Sequence, residues 1–106
     1  MRGLHNLQVL KLDNNSIKKI ENLDDLKNLR SLDLSFNQIE TVENLDMLTK
    51  LEDLSLYHNQ IVEIKYEKIK NLKNLNLLSL KHNKISDLNG LIRSLKLFRN
   101  LQVLTI

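Results

Sequence analysis

The sequence predicts an α/β solenoid. The expected form is a right-handed arc, with a parallel β-sheet of about five strands on its concave face and short 3₁₀ or helical turns on its convex face. Three observations predict it. The segments LQVLKLDNNSI (7–17), LRSLDLSFNQI (29–39), LEDLSLYHNQI (51–61) and LNLLSLKHNKI (75–85) share the pattern L-x-x-L-x-L-x-x-N-x-I, and LQVLTI (101–106) begins a fifth copy. The leading leucines fall at 7, 29, 51, 75 and 101, giving periods of 22, 22, 24 and 26 residues. Every complete copy also keeps an asparagine among apolar neighbours, at Asn15, Asn37, Asn59 and Asn83.

Each part of the repeat has a physical reason. In Leu10/Leu12, Leu32/Leu34, Leu54/Leu56 and Leu78/Leu80 the leucines alternate, so on a strand both point to one face. One such strand cannot bury that face alone, whereas stacked copies share a continuous core. After the strand the chain turns inward and leaves backbone groups that the sheet cannot pair. An asparagine carries donors and an acceptor and can bond to backbone on either side. The four asparagines are therefore read as a structural ladder, not as ligands. On the return leg Ile20, Leu23 and Leu26 recur as Val42, Leu45 and Leu48, a spacing of three that suits an inward-facing 3₁₀ or helical turn. The third return leg holds two extra residues within KYEK (65–68) and should bulge. The fourth is longest, and Ser86 or Asp87 could cap a helix with Leu88, Leu91, Ile92 and Leu95 on one face.

The domain spans residues 1–106, with four full repeats starting at Leu7, Leu29, Leu51 and Leu75 and partial repeats at both ends. Met1 shares the phase of Leu23 and Leu45, Leu4 that of Leu26 and Leu48, and the last copy stops at Ile106 before its asparagine. Solenoids need covered ends, so the expectation is a piece of a longer protein, prone to self-association through its last strand.

Composition narrows the chemistry. There is no cysteine, no proline, and glycine only at Gly3 and Gly90, which excludes a disulfide framework, a thiolate metal site and a glycine-rich phosphate loop. Apolar residues never run longer than two together, so no membrane contact is expected, and an intracellular, cytoplasmic setting fits. The net charge of +3 hides an imbalance: residues 1–53 carry 7 basic and 10 acidic side chains, residues 54–106 carry 9 and 3. The basic residues of the second half lie mostly on return legs, a solvated convex face by default, with an acidic protein surface such as tubulin as the partner that charge would favour and nucleic acid not expected.

Candidate chemistry sits on the outward strand positions. Asp33 and Asp53 should be diagonal neighbours, beside Ser55 and Tyr57. On an open sheet water reaches both acids, so neither should have a strongly shifted pKa, and no catalytic residue is assigned. His58 and His82 share a phase and should adjoin, but two imidazoles fall short of the four ligands of a structural zinc site, so no metal is expected. No cofactor or small-molecule substrate is expected either. Phe36, Tyr57, His58 and His82 should form a ridge along the strand-exit edge, with the aromatic and polar character of an interface anchor.

The L-x-x-L-x-L-x-x-N-x-I copies follow the leucine-rich repeat pattern. With IENL and VENL after the asparagine, they resemble the short repeats of the protein phosphatase-1 regulatory subunit class, which includes the outer-arm dynein light chain and several axonemal proteins. The run LKLDNNSIKKIENLDDL, LDLSFNQIETVENLDML and LEDLSLYHNQI is most similar to the dynein regulatory complex members of that class. The resemblance implies a non-catalytic scaffold in the cytoskeleton of a ciliary or flagellar axoneme, with axonemal or dynein-regulatory subunits as partners. A phosphatase-targeting subunit or a dynein light chain are the alternatives it leaves.

Overall fold

The computed structural model describes residues 4–106, so the phase of Met1 lies outside the described residues. Five strands, β1 (Val9–Lys11), β2 (Ser31–Asp33), β3 (Asp53–Ser55), β4 (Leu77–Ser79) and β5 (Val103–Thr105), form one parallel sheet in chain order. Leu10, Leu32, Leu54, Leu78 and Leu104 stand opposite one another along its backbone, so equivalent positions of successive repeats are stacked. Leu32, Leu34, Leu54, Leu56, Leu78 and Leu80 are buried from the sheet side, and Ile20, Leu23, Leu26, Val42, Leu45 and Leu48 from the return-leg side.

The asparagine ladder is present, and it runs backward. Asn37 Oδ1 accepts the Ile17 N–H (3.1 Å), while its Nδ2 donates to the carbonyls of Leu12 (3.1 Å) and Leu34 (2.9 Å). Asn59 repeats this with the Ile39 N–H (3.0 Å) and the Leu34 (3.0 Å) and Leu56 (3.1 Å) carbonyls. Asn83 does so with the Ile61 N–H (3.0 Å) and the carbonyls of Leu56 (2.8 Å) and Leu80 (3.0 Å). Asn15 is exposed and, among the described residues, bonds within its own turn, to the Leu12 (3.0 Å) and Asp13 (3.2 Å) carbonyls.

A second set of asparagines, not anticipated above, does the same work just before the strands. Nδ2 of Asn28, Asn74 and Asn100 donates to the carbonyls of His5 (2.7 Å), Thr49 (2.9 Å) and Lys73 (3.1 Å), each one repeat back. Lys50 occupies that place in the remaining repeat, and its Nζ donates to Asn28 Oδ1 at 2.8 Å.

The return legs take the inward turns expected of them. In the first two these are single turns with the i→i+3 bond of a 3₁₀ helix, not a continuous helix. Leu26 N–H bonds to the Leu23 carbonyl and Leu29 N–H to that of Leu26, both at 3.0 Å, and Leu48 and Leu51 repeat the arrangement. Each turn closes on one bond, because the inward leucine at every third position is all that must be placed. The third leg holds a short helix α1 (Tyr66–Ile69), which takes up the inserted residues. The fourth holds α2 (Leu88–Leu95), whose first turn Asp87 caps by accepting the Gly90 N–H at 3.0 Å. Leu91 and Leu95 are buried as expected, but Ile92 is only half-buried and Leu88 is exposed. Leu88 opens the helix and borders a hollow with His82, Asn83 and Ile106, beyond the packed layer.

Candidate protein-docking face

The strand-exit turn puts bulky side chains where glycine would be easiest. Asn14, Phe36, His58 and His82 all adopt left-handed backbone, with φ of 59°, 56°, 59° and 60°. For residues other than glycine this costs about 1–2 kcal/mol. Backbone bonds hold the conformation, since Asn14, Phe36 and His58 each donate their N–H to the next repeat, to Ser35 (3.0 Å), Tyr57 (2.9 Å) and Lys81 (2.9 Å). One side chain per repeat is thereby projected along the exit edge at the spacing of the strands.

These side chains touch. The Phe36 ring stacks on His58 at 5.0 Å with 21° between planes, and His58 lies 6.0 Å from His82. Tyr57 meets Phe36 and His82 edge-on, each at 5.3 Å. Four rings from three successive repeats thus form one continuous ridge, and Phe36 remains 44% exposed. Such edge-to-face and offset contacts add about 0.5–1.5 kcal/mol per pair beyond burial, which fixes the ridge before any partner arrives. His58 and His82 adjoin as the phase predicted, and no group of three or more metal-binding side chains occurs among the described residues.

Beside the ridge lies the outer face of the sheet. Ser31 faces Asp53 and Asp33 faces Ser55, so Asp33 and Asp53 are diagonal neighbours. Asp33 is fixed: its Oδ1 accepts the Ser35 N–H (3.0 Å) and hydroxyl (2.6 Å). Asp53 departs from the ordinary carboxyl value without contradicting the expectation of no strong shift. Burial among the neighbouring strands pushes its carboxyl above the ordinary value of 3.8, and the charge of Asp33 adds to the push. The strands, although open to water, crowd Asp53 enough to weaken its hydration. A carboxyl raised in the folded state favours folding only while protonated, so its contribution is lost as pH rises past the carboxylate range. Asp53→Asn is therefore expected to gain about 0.5 kcal/mol or less at pH 7, the effect being small because solvent screens the group. The gain should vanish below the ordinary carboxylate value, and urea melts at both pH values would measure it. A larger gain at acid pH would contradict the assignment.

At the other edge of the sheet Arg30 pairs with Glu52, the one ion pair among the described residues. Val9 and Leu77 add exposed apolar surface on the strands themselves. The face therefore combines an acidic centre, hydroxyls, apolar spots and an aromatic rim. No helix among the described residues is long and apolar enough to cross a membrane.

Comparison with known proteins agrees with this geometry. A family model described as "Leucine Rich repeats (2 copies)" matches residues 5–47. No curated protein sequence matches the chain. Among solved structures, a chain of the Drosophila melanogaster SNF/U2A' complex superposes with a TM-score of 0.80 at 30% identity, over 91% of this chain and 55% of that one. A leucine-rich repeat protein of Leptospira interrogans gives 0.80 at 34% identity, over 92% of this chain and 25% of that one. Internalin C2 of Listeria monocytogenes gives 0.81 at 32% identity, over 95% and 42%. The chain thus spans about half or less of the length of these structures. Repeat phase, stacked sheet, asparagine ladder and matched segment agree, and they give the chain the leucine-rich repeat fold.

Proposed function

We propose that the chain is a non-catalytic protein-docking module of a ciliary or flagellar axoneme, similar to dynein regulatory complex subunit 3. The observation that carries docking is the ring ladder of Phe36, Tyr57, His58 and His82 beside Asp33, Asp53 and Ser55. Preassembled aromatic side chains with polar neighbours are what interface cores are made of. The open sheet suits a partner's surface better than a small molecule, because nothing closes over it. That a solved chain of this fold stands in the SNF/U2A' complex supports docking as the use of such an arc. The axonemal assignment rests on the wording of the first three repeats and on nothing in the site itself.

Truncating an aromatic anchor in an interface core costs about 2 kcal/mol or more, whereas rim charges cost far less. Phe36→Ala with Tyr57→Ala is therefore expected to abolish capture of axonemal partners from ciliary extract with the fold intact. Lys18→Ala with Lys27→Ala, on the convex side, should leave capture unchanged. If the convex pair loses partners and the aromatic pair keeps them, docking runs through the outer face. Capture of a phosphatase catalytic subunit instead would replace the axonemal assignment.

A further inference from the structure

We propose that the convex side carries a second, independent docking site, a basic groove between the third and fourth return legs that takes an acidic protein segment with an apolar anchor. The groove encloses about 500 Å³. Lys70 and Lys73, from the leg after α1, and Arg99, from the turn after α2, line it together with Tyr66, Leu97 and Phe98. Tyr66 and Phe98 meet edge-on at 6.2 Å and 70°, which joins the two legs. Phe98 is buried at 7% exposure, while Leu97 is 62% exposed.

The charge of this groove is unbalanced. No acidic side chain lines it, and Lys70, Lys73 and Arg99 belong to no ion pair among the described residues. A hollow between the second and third return legs, nearer their starts, offers a contrast. It encloses about 400 Å³, but there Glu40 and Glu63 share the lining with Lys65 and Lys68, so its charges compensate one another. The second half of the chain is short of acids, with three against nine basic side chains, which leaves few counter-charges for this groove. Three cations converging on one depression raise the local potential and favour an anionic partner.

The form of the anion follows from the rest of the lining. Single-stranded nucleic acid is held by stacking successive bases on several exposed ring faces. Here Phe98 is buried, and Tyr66, 36% exposed and edge-on to it, is the one ring left to offer. A phosphate track would also have no use for the exposed Leu97. A peptide bearing glutamates or aspartates and one apolar side chain uses everything present. Its carboxylates meet the lysines and the Arg99 fork, and its apolar side chain covers Leu97.

Fluorescence anisotropy with a short labelled peptide, glutamate-rich with a central leucine, tests this on the 106-residue chain. Binding should weaken as salt rises, and Lys70→Glu with Lys73→Glu and Arg99→Glu should weaken it by about tenfold or more. Leu97→Ser should weaken it while leaving the salt dependence unchanged. Lys18→Glu with Lys27→Glu, which keeps the groove, should bind as the parent does, and circular dichroism should show all variants folded. Equal binding by the triple variant would overturn the site. Tighter binding of an oligouridylate of equal charge would overturn the choice of partner, and an unaffected Leu97→Ser would overturn the apolar anchor.

Discussion

Leu54→Ala is expected to lower the unfolding free energy by about 2–5 kcal/mol, read as a shifted midpoint in urea. Leu54 is 1% exposed in the middle strand, stacked between Leu32 and Leu78. Truncation removes its contacts with both neighbouring repeats and leaves a cavity that neither can fill, since the strands are held in register by their backbone bonds. In a solenoid the coupling between adjacent repeats carries much of the stability, so a defect at the centre weakens two interfaces. Leu10→Ala offers the contrast: Leu10 is half-buried in the first strand, with one stacked neighbour, and its loss should be visibly smaller. Equal losses at the two positions would mean that stacking between repeats is not what stabilises the arc.

Asn59→Ala should cost about 1–3 kcal/mol for the buried backbone groups it abandons. Asn59 is 3% exposed, and the Ile39 N–H has its Oδ1 as partner. Asn15→Ala, whose bonds are local and exposed, should stay within about 0.5 kcal/mol. Location makes the test sharper than size. Because each asparagine reaches back one repeat, hydrogen exchange in Asn59→Ala should rise at the Ile39 amide and not at that of Ile61, which Asn83 still binds. Faster exchange at Ile61 alone would reverse the direction assigned to the ladder.

Period-bound features were legible in the sequence. The leucines and the asparagines at 37, 59 and 83 recur in phase, and stacking follows from phase. The second ladder left a signal too, the Asn-Leu pairs at 6–7, 28–29, 74–75 and 100–101, but Lys50 interrupts it and the pairs lie outside the apolar pattern. Leu88 was misplaced because helical spacing identifies a face without saying whether the first turn has anything to pack on. The ridge was readable from phase alone. The left-handed backbone beneath Phe36 was not, because phenylalanine argues against it and only the demands of the turn impose it. The shift at Asp53 depends on how closely neighbouring strands crowd it, and the groove around Arg99 on two legs far apart in sequence. Neither distance is written in a repeat.

The unequal return legs also shape the arc as a whole. Neighbouring parallel strands sit about 4.8 Å apart, while packed helices need about 8–10 Å between axes. In the first two repeats the outer side is made of thin turns, and the inner and outer circumferences can stay nearly equal. Where α1 and α2 replace them, the outer circumference must lengthen while each strand keeps three residues. Bulkier outer legs give each repeat there a thicker outer end, which is expected to tighten the bend toward β5. A rigid rod-like ligand would match the gentler first part and be pinched in the second, giving the concavity a single preferred end from which to be filled.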